Sequence, residues 1–215
     1  MLGDIFFFRE MYQAGLRQQV WQDRYFAEQK YFLSYNKDEH QKAVCDLIDI
    51  MNSKLIWDLQ EVWLIDPYLT ADDIIKTVLF CKKYGIKIKG LCSYKTIHGN
   101  KETKEAFDAV EFKTFKRTAF TKLREAVTED TDIILEYRTT YGNHGADFHD
   151  RYLILKYKIN KDRAWSLGAS VNSIGKSHHI MQIVEAPVLI AETFDKIWNE
   201  TNYDECKLFE IGTEV

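Results

Sequence analysis

The stretch FHDRYLILKYKINKDRAWSLGASVN, residues 148–172, determines the predicted fold. Its apolar run 152–155 is short and rich in β-formers, which indicates a buried strand rather than a helix. After the polar turn 158–162, a second apolar run, 164–167, ends at Gly168. The stretch therefore predicts two consecutive core strands whose ends carry polar side chains.

The polar residues of this stretch suit the binding of an anion. Side chains alternate along a strand, so His149 and Arg151 are expected to point in the same direction. Gly168 allows a sharp turn after the second strand, and Ser170 and Asn172 then supply hydroxyl and amide donors. A histidine, a permanent cation and neutral donors together are what a phosphoryl centre requires.

These residues resemble the phospholipase D-like superfamily, whose HKD motif reads HxKxxxxD and is followed by GSxN on the next strand. The matching positions are His149, Arg151 in place of the lysine, Gly168, Ser170 and Asn172, with Ala169 inserted. The stretch EVWLIDPYL, residues 61–69, is similar to the first core strand of that fold. The resemblance covers residues 61–198, and it rests mainly on one copy of the motif.

The resemblance implies a role for each matching residue. His149 would be a nucleophile that forms a phosphohistidine, which splits one displacement into two easier steps. Arg151 would neutralise phosphate oxygens through its planar guanidinium, and Ser170 and Asn172 would donate hydrogen bonds. Without the resemblance, a strand histidine or arginine is usually structural, and Ser170 would serve as the N-cap of a short turn over 171–174.

Two departures from the motif leave the activity open. Arg151 keeps the charge of the motif lysine but not its shape, and Lys156 stands where the motif has its aspartate. Asp162 is a candidate substitute for that aspartate if the hairpin is longer. The alternative to an enzyme is therefore a catalytically weakened domain of the same fold that binds nucleic acid or supports assembly.

A metal site is the rival interpretation of the polar residues. It would use His144, Asp147, His178 and His179, since histidine with carboxylate suits zinc or manganese. No HxH or HExxH spacing supports it, so the sequence favours chemistry without a metal or other cofactor.

Bulk composition indicates a globular protein without a global affinity for polyanions. Hydrophobic residues make up 46% of the 215 residues, aromatic residues 14%, and the net charge is −4. Nucleic acid would thus need a local basic patch. The four scattered cysteines indicate buried reduced thiols. Neither a signal peptide nor a bilayer-spanning run is visible, which favours a cytoplasmic location.

The order of patterns predicts an α/β fold. Helices over 8–33 and 38–59 form an N-terminal appendage (1–60), which is expected to pack onto the core rather than to present an aromatic partner surface. The domain proper (61–215) alternates strands with helices at 70–84, 101–127 and after Pro187. Strands are expected at 62–65, 86–92, 132–138 and 180–184, besides the two motif strands. This order predicts a mixed, mostly parallel sheet with helices on both faces.

One helix carries a candidate track for a nucleic-acid backbone. Its positive side chains are Lys113, Lys116, Arg117 and Arg124, with Arg138 and His144 nearby in sequence. Such charge runs are usually only the solvated face of a helix. The predicted substrate contacts are Gly168, Lys113, Arg117 and His144.

The resemblance therefore implies a phospholipase D-like phosphodiesterase that acts as a metal-independent nuclease, with nucleic acid as its partner. A lipid-acting enzyme would need an apolar entry surface that the sequence does not show. The chemistry needs a nucleophile and an acid on opposite sides of phosphorus, and the sequence contains one motif copy. A homodimer that places His149 against its symmetry mate would supply both.

Overall fold

The structure, a computed structural model, describes residues 32–53, 55–94, 105–127 and 133–212. The strands are β1 (Phe32–Tyr35), β2 (Leu59–Ile65), β3 (Lys87–Ser93), β4 (Ile134–Thr140), β5 (Tyr152–Tyr157), β6 (Arg163–Ser166), β7 (His179–Ile183) and β8 (Lys207–Ile211). The helices are α1 (His40–Met51), α2 (Ala71–Lys76), α3 (Glu105–Ala126) and α4 (Pro187–Glu200).

All eight strands form one mixed sheet in the order β1-β7-β6-β5-β2-β3-β4-β8. Only β2-β3 and β3-β4 are parallel, and the other five pairs are antiparallel. The predicted mixed α/β class is confirmed, but the prediction of a mostly parallel sheet is wrong. Residues 158–162 form the only connection between β5 and β6, and a connection this short can join only antiparallel neighbours.

The sheet buries both faces against helices, as predicted. On β2, Val62 and Leu64 belong to a cluster that also contains residues of α1, α2 and α3. The alternate residues Trp63 and Ile65 belong to a second cluster, which is covered by α4. Because side chains alternate along a strand, one short sequence supplies both cores.

Two predicted helices end earlier in the structure. The helix predicted over 38–59 ends at Met51, where the Asn52 amide donates to the carbonyls of Ile48 (3.0 Å) and Phe80 (2.9 Å). The helix predicted to reach residue 84 ends at Lys76, because the buried Thr77 leaves the helical conformation. Across the described ranges, no helix combines the length and apolar character needed to span a membrane.

The N-terminal prediction is only partly covered by the structure. Most of the helix predicted over 8–33 lies outside the described residues, and its last two residues belong to β1, which pairs with β7. Helix α1 packs its buried face into the larger core cluster, so the expectation that the second helix joins the core is confirmed. The boundary at residue 60 stays a prediction.

All four cysteines are buried and none forms a disulfide, as predicted from their spacing; they are Cys45, Cys81, Cys92 and Cys206. Burial raises the pKa of the Cys92 thiol to about 12, so this side chain stays protonated at physiological pH.

Helix α2 begins with a capping box. The Thr70 hydroxyl accepts the Asp73 N–H at 3.3 Å, and the Asp73 carboxylate accepts the Thr70 N–H at 2.9 Å. Two of the backbone donors at the start of the helix are thereby satisfied reciprocally.

We expect Thr70→Ala to lower the free energy of unfolding by about 1 kcal/mol, because it removes the N-cap acceptor. Urea denaturation followed by tryptophan fluorescence measures this change. Thr114→Ala, at an exposed position of α3, is the matched control and should change stability by less than about 0.5 kcal/mol. Equal losses in the two variants would contradict the capping role.

Candidate anion-binding site

Three chain segments meet where β2 and β6 end and β5 begins. Tyr152, the first residue of β5, pairs with both Ile65 of β2 and Ser166 of β6. The Leu167 N–H donates to the Arg151 carbonyl at 3.0 Å, which extends the β5-β6 pairing by one step. The residues that follow β2 and β6 are therefore neighbours of Arg151 where these central strands end.

The buried carboxylate of Asp66 connects these segments. One oxygen accepts the Tyr68 N–H at 2.9 Å, and the other accepts the Val171 N–H at 2.7 Å. Its Oδ1 lies 3.8 Å from the Arg151 Nε. Asp66 has no exposed surface, and this burial raises its pKa even though the two N–H donors and Arg151 favour the ionised form. The carboxylate fixes the turn after β6 against the end of β2.

Arg151 is held by its Nε and leaves its outer nitrogens available. The Nε donates to the Ser170 Oγ at 2.9 Å, and the side chain is 27% exposed. Among the described residues, no partner accepts a hydrogen bond from the two terminal Nη groups. The arginine thus presents two parallel donors, a geometry that matches a phosphate or carboxylate.

Ser170 occupies the N-cap position of a short 3-10 turn, Val171–Ser173, at the place where the sequence predicted a short turn over 171–174. Its hydroxyl does not cap the turn, because it accepts from Arg151 instead. The Asp66 carboxylate takes the Val171 N–H, and the Ser170 carbonyl accepts the N–H groups of Ser173 and Ile174. Ser170 is therefore both a turn residue and a contact of Arg151.

Gly168 adopts a backbone conformation that other residues disfavour, with φ of +69°. A Cβ at this position would lie 2.3 Å from the Ile180 carbonyl oxygen of β7. The glycine is thus required by the close approach of two backbones. Its predicted contact with substrate stays a prediction.

His149 and Asn172 lie at this edge of the sheet but are both exposed. His149 directly follows Phe148, whose buried ring packs edge-on against Phe194 at 5.5 Å. Neither polar side chain forms a hydrogen bond or ion pair with any residue that the structure describes. The structure joins Arg151 and Ser170 directly, and the convergence of His149 and Asn172 on the same anion stays a prediction.

Lys156 and Asp162, the two residues considered for the aspartate position of the motif, lie in different surroundings. Lys156, at the aspartate position of the motif, points to the α4 face, where its Nζ lies 3.6 Å from Asp195 and 4.9 Å from the Trp63 ring. Asp162 accepts the Tyr157 N–H at 3.0 Å and closes the β5-β6 hairpin. This hairpin lies at the opposite end of β5 from Arg151, roughly 17 Å away for a six-residue strand. The motif aspartate position, 156, lies at this same end of β5, so the suggestion that Asp162 replaces that aspartate stays a prediction.

The candidate basic track is only partly available. Lys113 and Arg117 are exposed on α3, whereas Arg138 is buried and stacks on Trp198 at 4.2 Å. The His144 Nε2 lies 2.9 Å from a carboxylate oxygen of Glu205. Substrate binding by Lys113, Arg117 and His144 stays a prediction.

Two of the four residues of the rival metal scheme, His144 and His179, pack against aromatic rings. His144 packs against Tyr203, with ring centroids 3.9 Å apart, and His179 stacks on Tyr35 at 5.0 Å. In the described ranges, no three histidine, cysteine, aspartate or glutamate side chains are grouped so that they could hold a metal ion.

Asp66 is the site residue that the sequence analysis missed. A signal was present, because Asp66 and Pro67 directly follow a buried strand, and polar groups at strand ends gather at ligand sites. The residue lies within the stretch that resembles the family, yet it is about 85 positions before Arg151 in the sequence.

The fold and the site define a mixed α/β protein with a carboxylate-arginine pair at the strand ends. No family profile matches the sequence, and no curated protein matches it significantly. Among solved structures, the chain is similar to the archaeal chromatin protein TrmBL2, with 14% identity and a TM-score of 0.41. That match covers 96% of this chain but only 65% of TrmBL2, so the chain spans about two thirds of its length.

Two further solved structures are also similar. Nuc from Salmonella typhimurium, a phospholipase D family member, shares 15% identity over 79% of this chain and 94% of its own, with a TM-score of 0.48. NucT from Helicobacter pylori shares 12% identity over 83% and 99%, with a TM-score of 0.42. At these values we assign no residue role from the similarities.

We expect Asp66→Asn to destabilise the protein by about 1–3 kcal/mol. An amide has one acceptor oxygen, so the N–H of Tyr68 or Val171 would face an NH₂ group and stay buried without a partner. Urea denaturation measures the loss. The control is Asp72→Asn, whose side chain is 46% exposed and which should change stability little.

The loss should also depend on pH. Burial raises the pKa of Asp66 in the folded protein. The contribution of Asp66 to the free energy of unfolding of the wild type therefore falls as the pH rises from about 4, the unfolded-state pKa, through the raised folded-state pKa. The asparagine variant lacks this titration, so the stability gap should narrow over that interval. A gap that widens with pH would contradict the raised pKa.

Proposed function

We propose that this protein is a phosphodiesterase of the phospholipase D-like type, acting as a nuclease. The observation that carries the proposal is the Arg151-Ser170 hydrogen bond, backed by the buried Asp66. It fixes a cation two residues after His149, and the two terminal nitrogens of that cation have no partner in the part of the chain that the structure describes. The resemblance of His149, Arg151, Ser170 and Asn172 to the family motif supports the same conclusion.

The proposed reaction has two displacements at phosphorus. A neutral ring nitrogen of His149 attacks the phosphorus, the bond to the leaving oxygen breaks, and an acid protonates that oxygen. Water then attacks the phosphohistidine, the P–N bond breaks, and the water proton passes to a base. Arg151, Ser170 and Asn172 balance the charge on the nonbridging oxygens, so the scheme uses no divalent ion.

The second proton carrier comes, in this proposal, from a homodimer. His149 is exposed, which leaves it accessible to the same residue of a symmetry-related chain. An isologous interface would place two such half-sites opposite each other. Each chain would supply one histidine, as nucleophile or as acid.

Nucleic acid is the proposed substrate, and the cytoplasm the proposed location. The exposed Lys113 and Arg117 on α3 supply positive charge to a chain whose net charge is −4. Positive side chains of this kind bind a phosphate backbone without reading its sequence. His144 and Gly168 complete the proposed contacts.

A second candidate function, binding or assembly without catalysis, is favoured by one observation. Lys156 at the acidic motif position pairs with Asp195 on the other side of the sheet. No carboxylate of the described chain forms a hydrogen bond or ion pair with His149. A histidine that no acid orients is a weaker nucleophile, whereas the Arg151 donors would still bind a phosphate.

The test of the proposed function is turnover of DNA, RNA and a chromogenic phosphodiester, each with and without EDTA. The wild-type protein should cleave at least one substrate equally well in EDTA, and His149→Ala should reduce turnover below detection. His178→Ala, at another exposed histidine, is the matched control and should keep full turnover. Activity that chelation abolishes and manganese or zinc restores would contradict the metal-independent scheme. Phosphate-dependent binding without turnover would favour the second candidate.

The dimer makes a separate prediction. Sedimentation at micromolar concentration should detect a homodimer, and specific activity should fall when dilution dissociates it. The reason is that an isolated chain lacks the acid that protonates the leaving oxygen. A monomer whose specific activity is independent of concentration would contradict the shared site.

A further inference from the structure

The turn between β2 and α2 exposes one aromatic side chain beside the anion site. Within this turn, Asp66, Pro67 and Leu69 are buried, whereas Tyr68 is 37% exposed. The Tyr68 ring is not part of either core cluster. An aromatic ring that stays accessible within a buried turn has surface for a ligand.

The backbone that carries Tyr68 is rigid. Its N–H donates to Asp66 at 2.9 Å, and the Leu69 N–H donates to the Asp66 carbonyl at 2.9 Å. The Pro67 carbonyl accepts the Ser93 N–H at 3.0 Å, which ties the turn to the end of β3. The Cα of Tyr68 is thus fixed before any ligand arrives, and this reduces the entropy that binding costs.

Tyr68 lies next to the cation of the site. The Arg151 Cζ lies 5.7 Å from the centre of the Tyr68 ring, within the range of a cation–π contact. Asp66 holds both residues, through the Tyr68 N–H and through the Arg151 Nε. A ligand whose phosphate binds the terminal nitrogens of Arg151 therefore has an aromatic ring within 5.7 Å of the guanidinium carbon.

We infer that Tyr68 is a stacking platform for an unpaired base of single-stranded nucleic acid, whose adjacent phosphate binds Arg151. This inference rests on the proposed function, in which nucleic acid is the substrate, and it specifies that this nucleic acid is single-stranded. A nucleotide carries a flat aromatic base one sugar away from its phosphate, and this order matches the pair of Tyr68 and Arg151. Aromatic stacking next to positive charge is how proteins bind single strands without reading sequence.

A duplex fits this arrangement less well. Its bases are stacked on each other, so their faces are covered and only phosphates and groove edges are accessible. Stacking on Tyr68 would require unpairing, which costs a few kcal/mol. The pair of residues therefore selects single strands over duplexes.

The test is binding of a fluorescent single-stranded oligothymidine, measured by anisotropy in the full chain carrying His149→Ala, which prevents cleavage. Tyr68→Leu should weaken binding roughly tenfold, the effect of losing one stacked base. Tyr68→Phe keeps the ring and should bind within about twofold of the parent. Tyr84→Leu is the matched control, because Tyr84 is 83% exposed and precedes β3 at the opposite end of the sheet.

A second probe separates stacking from a loss of Arg151 geometry. An oligonucleotide of equal length whose sites are all abasic keeps the phosphates but has no bases to stack. Tyr68→Leu should bind this probe as the parent does, and a duplex of the same sequence should bind the parent more weakly than the single strand.

Three results would overturn the inference: equal weakening on the abasic probe, equal weakening by Tyr84→Leu, or no binding of the single strand by the parent. Cleavage is assayed separately with His149 intact. Base-dependent binding without cleavage would overturn the proposed catalysis and leave the role of Tyr68 supported.

Discussion

The site depends on one buried carboxylate. Asp66 follows β2, yet its two oxygens accept N–H groups from its own turn and from the turn after β6, and it faces Arg151. A carboxylate without exposed surface is costly unless it is paired and hydrogen-bonded, so each of these contacts is needed to keep it there. The same contacts place the arginine, the serine and the exposed tyrosine next to one another.

The face of the sheet that α4 covers also contains buried charged side chains. Lys89 lies 4.0 Å from the Trp63 ring and 3.3 Å from Glu61, and burial lowers its pKa. Burial acts to raise the pKa of Glu61, but the Trp63 N–H and the Lys89 charge lower it overall. Arg138 stacks on Trp198 of α4. These cations attach α4 to the sheet, and Lys156 belongs to this layer rather than to the anion site.

An arginine at position 151 can bind its neighbours and an external anion at the same time. A lysine has one ammonium, which would either contact Ser170 and Asp66 or reach outward to an anion. The guanidinium does both, because its Nε binds Ser170 while its two outer nitrogens have no partner among the described residues. The Nε contact with Ser170 thus fixes the guanidinium, and its outer nitrogens are orientated before a ligand arrives.

The sequence by itself determined the local structure that adjacent residues specify. The capping box at Thr70, the strand 152–157, the turn at Gly168 and the long helix α3 all follow from short-range patterns. The contact between Arg151 and Ser170 was also within reach, since a hairpin brings the two ends of its strands together. Strands β1 and β8 escaped prediction, because edge strands are defined by the neighbour with which they pair. Only the tertiary structure decided that β2 pairs antiparallel with β5 and that Asp66 joins the site. The physical reason is that both depend on contacts between segments about 85 to 105 residues apart, and no short-range pattern records such a pairing.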